Sequence, residues 1–158
     1  MQSEFLFECL SLLKGKLHTA IQTSGFCRSD IFARALALSD YFLYDLKLMD
    51  DEAHRRFTGV SNELILENFH ALCGSGKAFT VRIPLIPGVT DTEANLLAIA
   101  DLLNRNGVDS VELLPYNKMA GGKYKMLLRE YMPLFDEQTP VDPHRKIFEA
   151  HMIKSTVL

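Results

Sequence analysis

Short apolar segments with strand character alternate with amphipathic helices along this chain, and several of the strands end in polar residues. Strands are predicted over residues 18–24, 41–46, 78–85 and 110–114. Segment 41–46 is nearly continuous in apolar residues, as expected for a strand buried on both faces. Strands joined by helices form βαβ units with right-handed crossovers and a parallel sheet. The pattern therefore predicts an α/β fold.

The predicted helices cover residues 4–14, 30–38, 63–73, 90–106, 125–131 and 143–154. A charged loop is expected over 50–62, and a second loop at Gly121-Gly122. Only about four strands are predicted, whereas a closed eight-stranded barrel takes about 250 residues. We therefore expect an incomplete (β/α) barrel of mostly parallel strands with outer helices. Residues 1–158 are expected to form one domain, in which 132–158 is a less regular tail with a final helix.

Composition excludes several classes of protein. The chain has 158 residues and a net charge of −3, with no basic stripe to suggest a nucleic-acid partner. No apolar run approaches the roughly 20 residues that a membrane span needs. Glu4 and Glu8 stand where a secretory signal would be basic, so a cytoplasmic location is expected. Cys9, Cys27 and Cys73 are widely spaced, which predicts reduced thiols rather than disulfides or a metal cluster.

Charged residues at the ends of the central strands are the first candidates for a site. Asp45 and Lys47 are two positions apart on one strand and therefore share a face. They can hold a polar ligand, or they can form a structural ion pair; Lys47 can also be a Schiff-base lysine. Arg82 on the next strand either contacts a ligand or forms a salt bridge to a neighbouring strand, with Glu112 as the candidate partner.

Neutral polar residues end two further strands. Gln22 and Thr23 either coordinate a cation or cap the turn at Gly25. Asn117 either points its amide into a pocket or fixes a turn. Because the carboxyl ends of parallel strands meet at one edge, we expect all these groups to line a single pocket.

The charged segment between residues 50 and 62 has an ordinary structural interpretation. His54 lies within a run of charged residues, which is typical of a solvated face. Asn62 or Ser61 is most simply the N-cap of the helix that follows.

Five segments in order carry a resemblance to a known family: 23–26, 44–47, His54 with 58–62, 82–91 and 113–117. Together they resemble the glycyl radical enzyme activating enzymes of the radical S-adenosylmethionine superfamily. This resemblance implies a partial (β/α)6 barrel and a [4Fe–4S] cluster held by a CxxxCxxC loop. Cleavage of S-adenosylmethionine there gives a 5′-deoxyadenosyl radical, which takes a hydrogen atom from a glycine of the partner. The implied partner is a glycyl radical enzyme such as pyruvate formate-lyase.

The resemblance also assigns residues to ligands. It implies S-adenosylmethionine contacts from Asp45, Lys47, Arg82, Pro84 and Asn117. It implies a monovalent-cation site formed by Gln22, Thr23, Asp45 and the carbonyl of Leu43. Gln22 stands where some members have an aspartate, so this chain has lost one negative charge at that site.

The chain contains no CxxxCxxC segment, so by the resemblance it is the C-terminal portion of an activase that lacks the first strands. We expect it to hold no cluster and to have no radical activity by itself. The strand over 18–24 would then have an open edge that favours pairing with a second chain. Two other functions remain open, namely a Schiff-base aldolase-type enzyme using Lys47 and a non-catalytic module that binds a partner protein.

Overall fold

The computed structural model describes residues 2–117 and 119–158, which form a five-stranded sheet and seven helices. The strands are β1 (Ala20–Thr23), β2 (Tyr41–Asp45), β3 (Ala78–Leu85), β4 (Ser110–Pro115) and β5 (Lys154–Val157). The helices are α1 (Ser3–Leu13), α2 (Ser29–Leu38), α3 (Asp51–Thr58), α4 (Glu63–Gly74), α5 (Glu93–Arg105), α6 (Ala120–Met126) and α7 (Arg145–Ala150).

The strands lie in the sheet in the same order as in the chain, from β1 to β5. Each pair of neighbouring strands is parallel. Helices connect β1 to β2, β2 to β3 and β3 to β4. The α/β fold with a parallel sheet, an incomplete barrel, is therefore confirmed.

The two faces of the sheet differ in burial. On one face, apolar side chains of the central strands form the core with residues of the helices: Phe42, Tyr44, Val81, Ile83, Leu85, Val111 and Leu113. On the other face, Asp45, Arg82 and Glu112 are not fully buried. The expectation that strand 41–46 is buried on both faces is wrong, because only its even-numbered residues belong to the core.

Helix α3 occupies most of the stretch predicted as a loop over 50–62. Asp50 caps this helix by accepting a hydrogen bond from the Ala53 N–H at 2.7 Å, and Gly59 ends it with φ of 82°. Acidic residues in its first turn and arginines in its last turn suit the helix dipole. The loop prediction was therefore wrong, although the capping and charge signals lay in the sequence.

The C-terminal part departs most from the prediction. The sequence predicts a loop at Gly121-Gly122 and a helix over 125–131. The structure instead has helix α6 over Ala120–Met126, which includes both glycines and ends before the predicted helix does. Helix α7 is shorter than the final helix predicted over 143–154. Residues 154–157 instead form β5, which pairs in parallel with β4. The short Ser-Thr-Val run suits a strand, but four residues gave too weak a signal to predict one.

Gly25 is the point where the chain passes directly over the core. Its φ is +75°, and a Cβ added there would lie 1.8 Å from the Tyr44 hydroxyl oxygen. That hydroxyl is buried and donates a hydrogen bond to the Ile65 carbonyl at 2.6 Å. Tyr44 therefore fixes both the turn after β1 and the first turns of α4.

We predict that Gly25→Ala destabilises the chain by about 1–3 kcal/mol more than Gly15→Ala does. Both glycines have φ of +75°, so both substitutions carry the same left-handed strain, but an added Cβ at Gly15 meets nothing within 4 Å. Urea denaturation of the two variants measures the difference. Equal losses would show that the Tyr44 contact does not constrain the turn.

Candidate functional site

The polar strand ends lie at one edge of the sheet, as the parallel arrangement requires. The register aligns Asp45 on β2 with Arg82 on β3, Glu112 on β4 and Thr156 on β5. Side chains aligned in this way project from the same face of the sheet. The site therefore begins as a row of polar side chains across the half-buried face.

Asp45 and Arg82 form a largely buried ion pair within this row. The Arg82 Nε and Nη2 atoms both donate to Oδ1 of Asp45, at 2.9 and 2.8 Å. The two side chains are only 12% and 14% exposed. Within residues 2–117 and 119–158, Oδ2 of Asp45 accepts no hydrogen bond and Arg82 makes none to Glu112. The structure thus shows a salt bridge between neighbouring strands, with Asp45 as the partner rather than Glu112.

Lys47 follows the end of β2, where the alternation of burial continues. Leu46 and Leu48 are buried, whereas Asp45 and Lys47 are half-buried. This alternation puts Asp45 and Lys47 on the same side of the chain, as their spacing suggests. The two do not pair with each other, since Asp45 bonds Arg82. The Lys47 ammonium contacts no hydrogen-bond or ion-pair partner in the described part of the chain.

Three buried asparagines hold the loops that follow the first three strands. Asn68 donates to the Gly25 and Cys27 carbonyls at 2.7 and 2.8 Å. Asn62 donates to the Leu48 and Met49 carbonyls at 3.1 and 2.8 Å. Of the two N-cap candidates for α4, the Asn62 side chain makes no capping bond, whereas the Ser61 hydroxyl oxygen accepts a hydrogen bond from the Glu63 N–H at 3.2 Å.

The third asparagine, Asn95, lies in α5. Its amide nitrogen donates to the carbonyls of Lys47 and Thr90, at 2.7 and 2.9 Å. Its oxygen accepts from the Met49 N–H at 2.9 Å. These bonds of Asn95 were not predicted from the sequence, because a buried amide that bonds to distant backbone groups leaves no local pattern.

His54 belongs to the interior rather than to the solvated face predicted for it. It is 3% exposed, and its Nδ1 lies 2.7 Å from the Val60 carbonyl oxygen and 3.0 Å from the Thr58 hydroxyl oxygen. His54 is the residue of α3 that is buried, and its charged neighbours in the sequence obscured this. His54 thus fixes the turn that ends α3.

Asp51 ties the first turn of α3 to the start of α4. It accepts hydrogen bonds from the Ser61 hydroxyl at 2.7 Å and from the Asn62 N–H at 3.0 Å. It also pairs with Arg55 at 2.8 Å. The Ser61 and Arg55 hydrogen bonds lower the pKa of Asp51 to about 2. The loop after β2 is therefore closed at its far end by a carboxylate that stays ionised.

The residues implied for a cation lie at the ends of β1 and β2. Gln22 is exposed and aligned with Leu43, and Thr23 is aligned with Tyr44. The Thr23 hydroxyl oxygen accepts a hydrogen bond from the Gly25 N–H at 2.9 Å, which is the turn-capping interpretation. A hydroxyl oxygen has two lone pairs, so this bond leaves one.

Pro84 and Asn117 line a second part of the same edge. Both border a cavity of about 350 Å³ between the ends of β3 and β4, together with Tyr116 and Lys123. The Asn117 side-chain oxygen accepts from the Met119 N–H at 2.9 Å, so it fixes a turn. The structure thus joins Asp45 to Arg82, leaves Lys47 two residues further along the same side of the chain, and places Pro84 with Asn117 at the cavity.

A cluster of hydroxyl and carboxylate groups beside this cavity was not predicted. The Tyr116 and Tyr131 hydroxyl oxygens are 2.5 Å apart, and both lie within hydrogen-bond distance of the same carboxylate oxygen of Glu137. Burial and the Glu137 carboxylate raise the pKa of Tyr116. These bonds join the end of β4 to residues 131–137. The sequence gives no signal for them, because the partners are far apart along the chain and share no repeat.

The residues present do not fit an iron–sulfur cluster. Among residues 2–117 and 119–158 no group of three or more His, Cys, Asp or Glu is placed to hold a metal ion. Cys9, Cys27 and Cys73 are free thiols. Burial raises the pKa of Cys27, and it raises the pKa of Cys73 to about 11, which disfavours the thiolate that metal ligation needs.

In the described residues no helix is both long and apolar enough to cross a membrane.

Similar proteins share this fold and much of the sequence. The chain is 45% identical over 117 residues to isethionate sulfite-lyase activating enzyme of Nitratidesulfovibrio vulgaris, which covers 73% of this chain and 38% of that protein. It is 37% identical over 131 residues to trans-4-hydroxy-L-proline dehydratase activating enzyme of Clostridioides difficile, covering 81% and 43%. The crystal structure of a domain of pyruvate-formate lyase-activating enzyme from Bacteroides vulgatus superposes with a TM-score of 0.77 at 27% identity, covering 99% and 91%. No family model matches the chain.

The parallel sheet with charged groups at its carboxyl edge is the partial barrel of radical S-adenosylmethionine enzymes. Within that class, the chain belongs to the glycyl radical enzyme activating enzymes. It spans about two-fifths of the length of the curated relatives that it matches, 38% and 43% for the two named above.

We predict that Arg82→Met lowers the free energy of unfolding by about 3 kcal/mol, because it leaves the Asp45 carboxylate buried without its partner. The matched control is Arg28→Met, which removes the exposed Arg28–Asp30 pair, with side chains 78% and 60% exposed. That change should cost less than about 1 kcal/mol. Urea denaturation of both variants tests this, and similar costs would mean that the Asp45–Arg82 pair contributes no more than a surface pair.

Proposed function

We propose that this chain forms part of the S-adenosylmethionine site of a glycyl radical enzyme activase. The observation that carries the proposal is a pair of charged groups without partners at the carboxyl end of β2. Oδ2 of Asp45 and the ammonium of Lys47 have no hydrogen-bond or ion-pair partner among the described residues. The similarity to activating enzymes supports the same assignment.

These two groups match the chemistry of an amino acid ligand. The methionyl end of S-adenosylmethionine carries an ammonium and a carboxylate, which complement Asp45 and Lys47 respectively. Arg82 holds Asp45 through two bonds to its other oxygen, so the free oxygen has a fixed direction. Bound and reductively cleaved, S-adenosylmethionine supplies a 5′-deoxyadenosyl radical. The residues of this chain bind and orient the ligand.

We assign the nucleoside end of the ligand to the neighbouring cavity. Pro84 and Asn117 border this cavity of about 350 Å³ on β3 and after β4. The Asn117 oxygen is engaged with Met119, so any contact with the nucleoside comes from its amide nitrogen. A monovalent cation beside the methionyl carboxylate would be held by Gln22, Thr23, Asp45 and the Leu43 carbonyl.

The activity of a whole activase needs more than the described residues supply. Among the described residues no group of His, Cys, Asp or Glu is placed to hold a [4Fe–4S] cluster. That this chain alone has no radical activity stays a prediction. The partner proposed is a glycyl radical enzyme, and the free thiols agree with a cytoplasmic location.

Self-association through β1 remains part of this proposal. Strand β1 is an outer strand of the sheet, next to β2, and its residue Gln22 is exposed. Unpaired edge strands favour pairing with another chain. Sedimentation at rising concentration distinguishes a dimer from a monomer.

We predict that S-adenosylmethionine titrated into the ¹⁵N-labelled chain shifts amide signals at the carboxyl ends of β1–β4. Lys47→Met and Asp45→Asn should each weaken this binding about tenfold, the usual loss of a hydrogen bond to a charged group. The measurement is the dissociation constant from chemical shifts in two-dimensional NMR.

The controls remove the same charges elsewhere. Lys16→Met changes an exposed lysine after α1, and Asp109→Asn changes an exposed aspartate before β4, at the opposite edge of the sheet. Both should leave the affinity unchanged. Binding that is equally strong in all four variants would contradict the assignment and favour a module that binds partners without this ligand.

A further inference from the structure

Asn95 makes three hydrogen bonds from a buried position, and two of them reach the backbone around Lys47. Its amide nitrogen bonds the Lys47 carbonyl at 2.7 Å, and its oxygen accepts the Met49 N–H at 2.9 Å. The residue is 8% exposed. The Asn95 side chain therefore bonds to the loop after β2 at two positions, the Lys47 carbonyl and the Met49 N–H.

The remaining bond joins this loop to the one after β3. The second amide hydrogen of Asn95 goes to the Thr90 carbonyl at 2.9 Å. Thr90 is 1% exposed, and its hydroxyl donates to the Pro84 carbonyl at 2.5 Å and accepts from the Ile86 N–H at 2.6 Å. A single side chain thus connects the loop that presents Lys47 to the loop that follows β3.

The Lys47 side chain has no such support of its own. Its ammonium makes no bond within the described residues, and Lys47 lies beyond the last residue of β2. The position of the ammonium is then set by the backbone from which it extends. A displacement of about 1 Å in a positioning group is enough to lower activity by about two orders of magnitude.

We propose that Asn95 is a positioning residue. It fixes Lys47 for the ligand carboxylate and holds the position of Lys47 relative to Pro84. This inference rests on the proposed function. Asn95 acts through Lys47 and does not contact the ligand. Without the amide, the Lys47 carbonyl and the Met49 N–H lose their partner and the loop after β2 moves.

The test compares Asn95→Ala with Asn68→Ala. Asn68 is also buried, at 1% exposure, and its amide also holds two carbonyls of a loop after a strand, but those belong to Gly25 and Cys27. Asn95→Ala should weaken binding of S-adenosylmethionine at least fivefold in the NMR titration, whereas Asn68→Ala should leave it unchanged. Equal affinity in wild type and Asn95→Ala overturns the inference.

A double-mutant cycle separates positioning from a general structural effect. In the Lys47→Met background, Asn95→Ala should have no further effect on affinity, because the group that it positions is already gone. A full additional loss in that background would show that Asn95 acts independently of Lys47, and it would overturn the inference. If wild type does not bind the ligand, the proposed function and the inference both fail. If Lys47→Met weakens binding but Asn95→Ala does not, only the inference fails.

A measurement on the wild-type chain covers the case in which Asn95→Ala does not fold. The Met49 N–H lies outside the strands and helices and donates to the Asn95 side chain. Its hydrogen exchange should be slowed at least tenfold relative to the unstructured rate. Exchange at the rate of a free loop would show that Asn95 does not hold this segment.

Discussion

The ion pair between Asp45 and Arg82 is the interaction on which the site depends. It places two opposite charges on adjacent central strands of the sheet, on the face opposite to the apolar core. A buried charge is costly unless it is paired, so neither residue is tolerable without the other. The Nε and Nη2 atoms of Arg82 both donate to one oxygen of Asp45 and leave the second oxygen without a partner among the described residues. One structural contact therefore joins two strands and also leaves the acceptor that we propose for a cationic ligand group.

The loops around this pair are shaped by buried amides rather than by regular structure. Asn62, Asn68 and Asn95 each bond two backbone carbonyls in loops that follow the strands. Loops usually lie at the surface because buried backbone groups must find partners. The asparagines supply those partners, so the loops can stay close to the sheet and hold their shape. Among them Asn95 holds the loop that carries Lys47, which gives that part of the carboxyl edge the rigidity that a binding site needs.

The sequence predicted the central fold well, because strands β2 and β3 and helices α2 and α5 have strong periodicity and clear end signals. It also brought Asp45, Lys47 and Arg82 to one edge, because parallel strands impose that geometry. It failed for α3, where charge hid the helix, and for β5, where four residues carry little pattern. The Asn95 bridge and the Tyr116–Tyr131–Glu137 cluster depend on contacts between residues far apart in the chain, which no local pattern encodes. His54 contacts the nearby Thr58 and Val60, but the charged residues around it predicted a solvated face.

We propose that Lys47 and Asp45 together hold the methionyl end of S-adenosylmethionine. Intermolecular nuclear Overhauser effects between the ligand and the labelled chain test this contact. We expect cross-peaks from the methionyl protons to the Lys47 ε-methylene and the Asp45 β-methylene protons. Cross-peaks confined to other surfaces, with none to these two side chains in a saturated complex, would contradict it.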